Sequence, residues 1–203
     1  MKLAIIKYNA GNIQSVSFAL ERLGIDFTLT DNVEEIQSAE KVIFPGVGEA
    51  STTMDFLKSK NLDRVITSLK QPVLGICLGM QLMCKYSEEN NTQCLGIFDE
   101  TVRKFIPKGE MKVPHMGWNS LSLKQGWLNS AIESTYAYFV HSYYVPVNEY
   151  TSAVTEYINP FSSALQFNNF YAVQFHPEKS AKTGELVLQS FLELELSIMN
   201  FEF

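Results

Sequence analysis

Cys77 stands at the centre of Gly75-Ile76-Cys77-Leu78-Gly79, a G-x-C-x-G frame. With serine at its centre the same frame is a nucleophile elbow, a sharp strand-to-helix turn that lifts the central side chain out of the fold. Glycines two residues either side leave room where strand and helix backbones crowd. Amides of the helix start would face the sulfur, where they favour negative charge and can donate to an oxyanion. The competing reading is that of most free cysteines, a small buried hydrophobe. Gln174-Phe175-His176-Pro177-Glu178 supplies what a nucleophile needs. Residues two apart in an extended segment point to the same side, so His176 and Glu178 present imidazole and carboxylate together. Pro177 restricts the backbone between them and holds His176 towards extended geometry. A nucleophile, a base and a carboxylate that orients the base make a triad, here in the order Cys, His, Glu. The alternative for 176–178 is a strand end at a solvated turn. His115 and His141 are the only other histidines, and neither has a carboxylate two residues away. His141, between Tyr138 and Tyr144, reads as a packed strand residue. Pro45-Gly46-Val47-Gly48 is the third element. A glycine-rich loop after a strand can turn backbone amides towards an anion. Its spacing fits neither the phosphate-binding loop nor the dinucleotide fingerprint. An oxyanion hole completed by the amide of Leu78 is the other use.

These residues need a frame to bring them together. Strands are expected at 2–7, 26–30, 41–44 and 73–76, with helices at 13–23, 50–59, 62–69 and 78–83. Strands alternating with helices indicate a parallel sheet covered on both faces, with ligands outside the carboxyl ends of the strands. The 45–48 loop and Cys77 both lie at such ends. From about Thr92 the pattern changes to short aromatic and β-branched segments separated by Pro, Gly and Asn: 96–105, 118–123, 136–147, 150–157, 163–167 and 170–175. These are expected to extend the sheet with antiparallel strands. A last helix is expected over 183–196, with Leu186, Val187, Phe191 and Leu194 on one face. The fold class is therefore α/β: three layers, a mostly parallel central sheet, and extra antiparallel strands in the C-terminal half. No repeat, low-complexity tract or linker divides residues 1–203, which read as one domain.

Composition excludes several function classes. Of 203 residues, 46% are hydrophobic and 19% charged, ordinary for a globular protein. Net charge is −6, from 16 Lys+Arg against 22 Asp+Glu, and no basic stripe points to nucleic acid. The apolar run Leu3-Ala4-Ile5-Ile6 stops at Lys7, short for a signal-peptide core, and no run approaches the ~18 residues of a membrane helix. Three cysteines, Cys77, Cys84 and Cys94, are an odd number without a secretion signal. That argues for a reducing compartment, the cytoplasm. Their spacing matches no zinc pattern, and Cys84 and Cys94 read as structural.

Gly75-Ile76-Cys77-Leu78-Gly79-Met80-Gln81 and His176-Pro177-Glu178 resemble the elbow and the His–Glu pair of triad-type (class I) glutamine amidotransferases. Further blocks narrow the resemblance to the glutaminase subunits of imidazole glycerol phosphate synthases. They are Pro45–Gly48, Lys112-Val113-Pro114-His115-Met116-Gly117-Trp118-Asn119, Tyr138-Phe139-Val140-His141-Ser142-Tyr143 and Gln174–Ser180. The resemblance covers essentially the whole chain. It implies a glutaminase without cofactor or metal, with Cys77 as nucleophile, His176 as acid and base, and Glu178 orienting the imidazole. Val47 and Leu78 amides would hold the oxyanion, the Val47 peptide after reorientation. Gly46, Gly48, Gln81, Glu89, Ser142 and Tyr143 would hold L-glutamine. A carboxylate facing an ammonium and amides facing a carboxylate suit its α-groups. The implied partner is a (β/α)8-barrel cyclase in a heterodimer of histidine biosynthesis, met through Asn12, Trp118, Tyr138 and Lys179. For Trp118, core packing is the other reading. Three other functions stay open at this point. They are a paralogue feeding ammonia to another barrel, such as one acting on a nucleotide sugar; a cysteine hydrolase on a similar elbow; and a non-catalytic subunit, which an intact triad argues against.

Overall fold

The structure is a computed structural model that describes residues 1–8, 13–124 and 126–194. In the N-terminal half, β1 (Leu3–Ile6), β2 (Phe27–Thr30), β3 (Lys41–Phe44) and β4 (Val73–Ile76) alternate with α1 (Ile13–Arg22), α2 (Val33–Ser38), α3 (Ala50–Ser59), α4 (Leu62–Ser68) and α5 (Leu78–Met83). The central strands β1, β3 and β4 are buried along their whole length. Successive side chains of a strand leave opposite faces. Leu3 and Ile5 accordingly join one core with Val16 and Leu20 of α1, while Ala4 and Ile6 join a second core with Ile36, Met54, Leu57 and Ile66 of α2, α3 and α4. Burial on both faces explains why these strands read as unbroken apolar runs rather than alternating ones. The short α2 was not expected from the sequence. Its start is marked by Asn32, whose Oδ1 accepts from the Glu35 amide at 3.1 Å.

The C-terminal half contributes β5 (Cys84–Ser87), β6 (Thr92–Gln93), β7 (Phe98–Lys104), β8 (His115–Ser120), β9 (Ser122–Leu123), β10 (Tyr136–His141), β11 (Tyr143–Tyr144), β12 (Thr151–Thr155), β13 (Phe161–Phe167), β14 (Phe170–Val173) and α6 (Ala181–Leu192). The main sheet has eight strands in the order β2-β1-β3-β4-β14-β13-β12-β9. Its first five are parallel and β13, β12 and β9 antiparallel. The expected antiparallel extension is thus only part of the arrangement. β14 is buried throughout and pairs in parallel with β4. The remaining segments leave the main sheet, β10 pairing with β8, and β11, β7, β5 and β6 forming a four-stranded sheet. The strand expected over 136–147 breaks at Ser142, because β10 follows β8 while Tyr143 and Tyr144 pair with Lys104 and Arg103 of β7. α6 begins two residues earlier than expected, and residues 195–196 of the expected helix lie outside the described residues.

Candidate active site

Register places the chemistry. β14 lies beside β4 with Val173 opposite Ile76, so residues just past each strand emerge side by side. On the other flank Phe44 of β3 lies opposite Gly75, which brings the 45–48 loop to the same end of the sheet. Three segments remote in sequence therefore meet at the carboxyl ends of adjacent parallel strands, where ligands bind in such folds.

Cys77 joins β4 to α5 with φ 54° and ψ −106°, a backbone conformation that a side chain rarely adopts. A residue held there stores about 1–3 kcal/mol and persists only where its surroundings enforce it. Here the Cys77 amide donates to the Val173 carbonyl at 2.8 Å, and the Gln81 amide donates to the Cys77 carbonyl at 3.2 Å. The flanking glycines are required by space. A Cβ on Gly79 would lie 2.1 Å from the Phe44 carbonyl oxygen, and one on Gly75 would lie 3.0 Å from the Gly79 carbonyl carbon. The three thiols differ in setting. Burial lifts Cys84 well above the ordinary thiol range and Cys94 to about 12, which keeps both as inert thiols. Cys77 is about as buried as Cys94 but lines a cavity.

His176 has extended φ/ψ (−99°, 97°), but Pro177–Lys179 is a single 3-10 turn and not a continued strand. The turn, rather than a two-residue strand period, is what swings Glu178 back. Its Oε1 lies 2.7 Å from His176 Nδ1, and the two side chains are only 2% and 1% exposed. This leaves Nε2 as the ring nitrogen not engaged by Glu178. Burial opposes protonation of His176, but the Cys77 sulfur and the Glu178 carboxylate outweigh it and push the imidazole up to about 10. The turn is itself anchored. The His176 amide donates to the Tyr138 carbonyl at 2.9 Å, and Ser180 Oγ donates to the His176 carbonyl at 2.7 Å while accepting from the Tyr138 amide at 2.9 Å.

The cavity, about 350 Å³, is lined by Cys77 and His176 and by Val47, Gly48, Leu78, Gln81, Glu89, Ser142 and Tyr143 among the residues expected to bind substrate. Gly46 does not line it. Its carbonyl accepts from the Leu78 amide at 3.4 Å, so the expected oxyanion donor is occupied by the 45–48 loop. The loop is tied from behind by the buried Tyr8 hydroxyl, which donates to the Pro45 carbonyl at 2.5 Å. Glu49 caps α3, accepting from the Ser51 and Thr52 amides, and Glu89 Oε2 accepts from the Ala50 amide at 2.8 Å. Burial raises the Glu89 carboxyl, and the Ala50 amide opposes that rise. The side-chain amide of Gln81 donates to the Tyr143 carbonyl and to Gln174 Oε1, both at 3.0 Å.

Away from the cavity, Trp118 is 53% exposed, which removes the core reading. It sits opposite Tyr138 across the β8–β10 pair, their ring centroids 6.0 Å apart. Met116, Trp118 and Tyr136 form the outward, apolar face of that ribbon, while His115, Ala137, Phe139 and His141 turn inward. Lys179 is exposed on the turn beside the triad, and Asn12 lies outside the described residues. Sequence reasoning gave no role to Tyr8 or to Gln174. The signal for Gln174 was a single amide inside the otherwise apolar run 170–175, and the structure buries it fully.

Residues 4–194 match the family described as glutamine amidotransferase class-I. The chain belongs to the class-I glutamine amidotransferase family. Among its relatives, the imidazole glycerol phosphate synthase subunit HisH of Bacteroides fragilis is 60% identical over 196 residues, covering 96% of this chain and all of that protein. The subunit of the same name from Vibrio parahaemolyticus is 44% identical over 201 residues, covering 95% and 98%. The crystal structure of a glutamine amidotransferase from Thermotoga maritima superposes with a TM-score of 0.60 at 16% identity, covering 95% of this chain and 81% of that one. That likeness speaks for the fold alone.

Proposed function

We propose that the chain hydrolyses L-glutamine to L-glutamate and ammonia and delivers the ammonia to a (β/α)8-barrel cyclase that forms imidazole glycerol phosphate in histidine biosynthesis. The observation that carries the chemistry is the buried His176–Glu178 contact of 2.7 Å beside a cysteine strained onto an elbow. Relatives named as subunits of imidazole glycerol phosphate synthase, matched along nearly their whole length, carry the pathway and partner.

The Cys77 thiolate attacks the side-chain amide carbon of glutamine, and the carbonyl oxygen takes the negative charge. His176, protonated at neutral pH, gives its Nε2 proton to the amide nitrogen, and ammonia leaves as the tetrahedral centre collapses to a thioester. Neutral His176 then takes a proton from water, the hydroxide adds to the thioester, and the thiolate departs to leave glutamate. Glu178 keeps Nδ1 protonated and the ring oriented throughout. Leu78 and Val47 amides stabilise the oxyanion once the Gly46 carbonyl gives up the Leu78 amide, a step we assign to partner binding. Gln81, Glu89 and the Ser142–Tyr143 backbone hold the substrate's α-groups. Trp118, Tyr138 and Lys179 meet the barrel, and Asn12 belongs to the same proposed interface. Among the described residues no helix is long and apolar enough to cross a membrane. Three free cysteines suit a reducing compartment, and we place the protein in the cytoplasm.

The test is glutamate release by the chain alone, with the barrel, and with barrel plus its ribotide ligand. Strong stimulation by barrel and ligand is expected. Cys77→Ala is expected to abolish glutamine-dependent synthesis and to spare ammonia-dependent synthesis by the complex. Equal loss of both, or no stimulation by the barrel, refutes the assignment.

A further inference from the structure

Several buried polar side chains at and behind the cavity wall have no part in the acyl and proton transfers of glutamine hydrolysis, and their hydrogen bonds form one continuous chain. Gln174 Nε2 lies 3.7 Å from Cys77 Sγ. Gln174 Oε1 accepts from Gln81 Nε2, which also donates to the Tyr143 carbonyl. The same carbonyl lies 2.7 Å from His141 Nδ1. His141 Nε2 is 3.0 Å from His115 Nδ1, and His115 Nε2 is 3.3 Å from Asn119 Nδ2, which donates to the Glu156 carbonyl at 2.8 Å.

Main-chain carbonyls settle every orientation, since a carbonyl only accepts. At the Tyr143 carbonyl, Gln81 must present its nitrogen and His141 must carry its proton on Nδ1. Gln174 must then turn its oxygen to Gln81 and its N–H to the sulfur. Neutral His141 accepts at Nε2, so His115 carries its proton on Nδ1 and accepts at Nε2 from Asn119, whose nitrogen is set by Glu156. Burial keeps both imidazoles neutral, lowering His115 to about 4 and His141, with the nearby His115 and His176 adding to the effect, to about 3.

We propose that Gln174 is a positioning residue that donates to the Cys77 thiolate, its orientation set through Gln81 by the Tyr143 carbonyl, which the buried His115–His141 pair on the inner face of the β8–β10 ribbon holds in place. A donor to sulfur stabilises the thiolate and fixes its direction of attack, and hydrogen bonds to charged groups are the stronger kind. The ribbon whose outer face carries Trp118 thereby reaches the nucleophile along its inner face. This rests on Cys77 being the nucleophile.

The experiment is the rate of Cys77 alkylation by iodoacetamide in the full chain, from pH 5 to 10, with the modified cysteine identified by peptide mass. In the parent protein Cys77 should react far faster than buried Cys84 and Cys94. Equal, slow reaction of all three in the parent would overturn the nucleophile assignment itself, an outcome distinct from any change confined to the variants. Gln174→Met keeps the volume and removes the donor. It should slow alkylation at pH 7 by about tenfold and move the pH profile upward, with Tm within a few degrees. Should it not fold, Gln174→Glu keeps the acceptor for Gln81 and sets a carboxylate against sulfur, and a larger slowing is expected. His141→Phe should slow alkylation in the same sense, and His141→Gln, which restores a donor to Tyr143, should recover most of the rate. Unchanged rate and profile in the folded Gln174 variant, or equal rates in the two His141 variants, would overturn the proposal.

Discussion

Gly184 lies in α6 and does not line the cavity, yet replacing it by alanine should damage catalysis. A Cβ built there meets the Pro177 carbonyl oxygen at 1.8 Å and the Pro177 carbonyl carbon at 2.6 Å, where ordinary contact begins at 3.4 Å. The overlap is with backbone, so no side-chain rotation relieves it. In an exposed helix the same change would stabilise by about 1 kcal/mol, which makes the expected sign unusual. Either α6 backs away, loosening Val187, Leu188 and Phe191 in the core, or the Pro177 turn moves by about 1.6 Å to restore contact. The turn carries His176 and Glu178, so a shift of that size displaces the pair from Cys77, which sits on a separate strand end. Misplacement of a catalytic group by about 1 Å costs on the order of 100-fold in rate. We expect Gly184→Ala to lower kcat for partner-stimulated glutamine hydrolysis by about that factor with KM little changed, together with a drop in Tm. The assay is steady-state glutamate release by the complex, alongside thermal unfolding of the chain. Parental kcat and Tm together would refute the packing argument.

Trp118→Ala should weaken partner binding, because an exposed tryptophan flanked by Met116 and Tyr138 is the kind of residue that anchors an interface; a titration with the barrel checks this, and unchanged affinity and coupling count against it. Tyr8→Phe removes the hydroxyl that holds the Pro45 carbonyl and should raise partner-free glutaminase activity by up to about tenfold. Lower or unchanged basal activity would mean that the hydroxyl does not restrain the 45–48 loop. His176 has its pKa raised on folding to about 10, so the folded chain binds the extra proton. Its contribution to stability is full below an unfolded value of about 6.5 and is lost as pH rises towards 10. Compared with His176→Gln, the parent should lose more Tm between pH 6.5 and 10, and parallel curves would contradict the assignment.

The elements easiest to read were those whose environment is uniform. Residues 41–44, 50–59, 73–76 and 78–83 are expected and observed with the same bounds, because apolar strands buried on both faces and a glycine-framed turn leave few alternatives. Strand direction was not legible. Phe170–Val173 looks the same whether its neighbour runs parallel or antiparallel, and only the register with β4 decides. α2 escaped notice because it buries one residue, Ile36, so periodicity had nothing to register. The Cys, His and Glu residue types announced themselves by spacing. The occupied Leu78 amide and the Gln174 donor did not, since both depend on contacts between segments far apart in sequence. The outward face of Trp118 was not legible either, since the sequence left core packing and partner contact both open for it.

The pairing of β4 with β14 also bears on how the protein is made. Cys77 leaves the ribosome about a hundred residues before His176, an interval on the order of 5–20 s at ordinary rates of synthesis. Through that interval β4 is the edge of an unfinished sheet, its amides unmatched along one side and its neighbours apolar. On the proposed chemistry the nascent chain therefore carries a nucleophile with no base, and it has an open edge that invites mispairing until β13 and β14 close it. Ammonia release cannot begin from a partly made chain, and the late strand that completes the sheet is also the one that delivers the histidine.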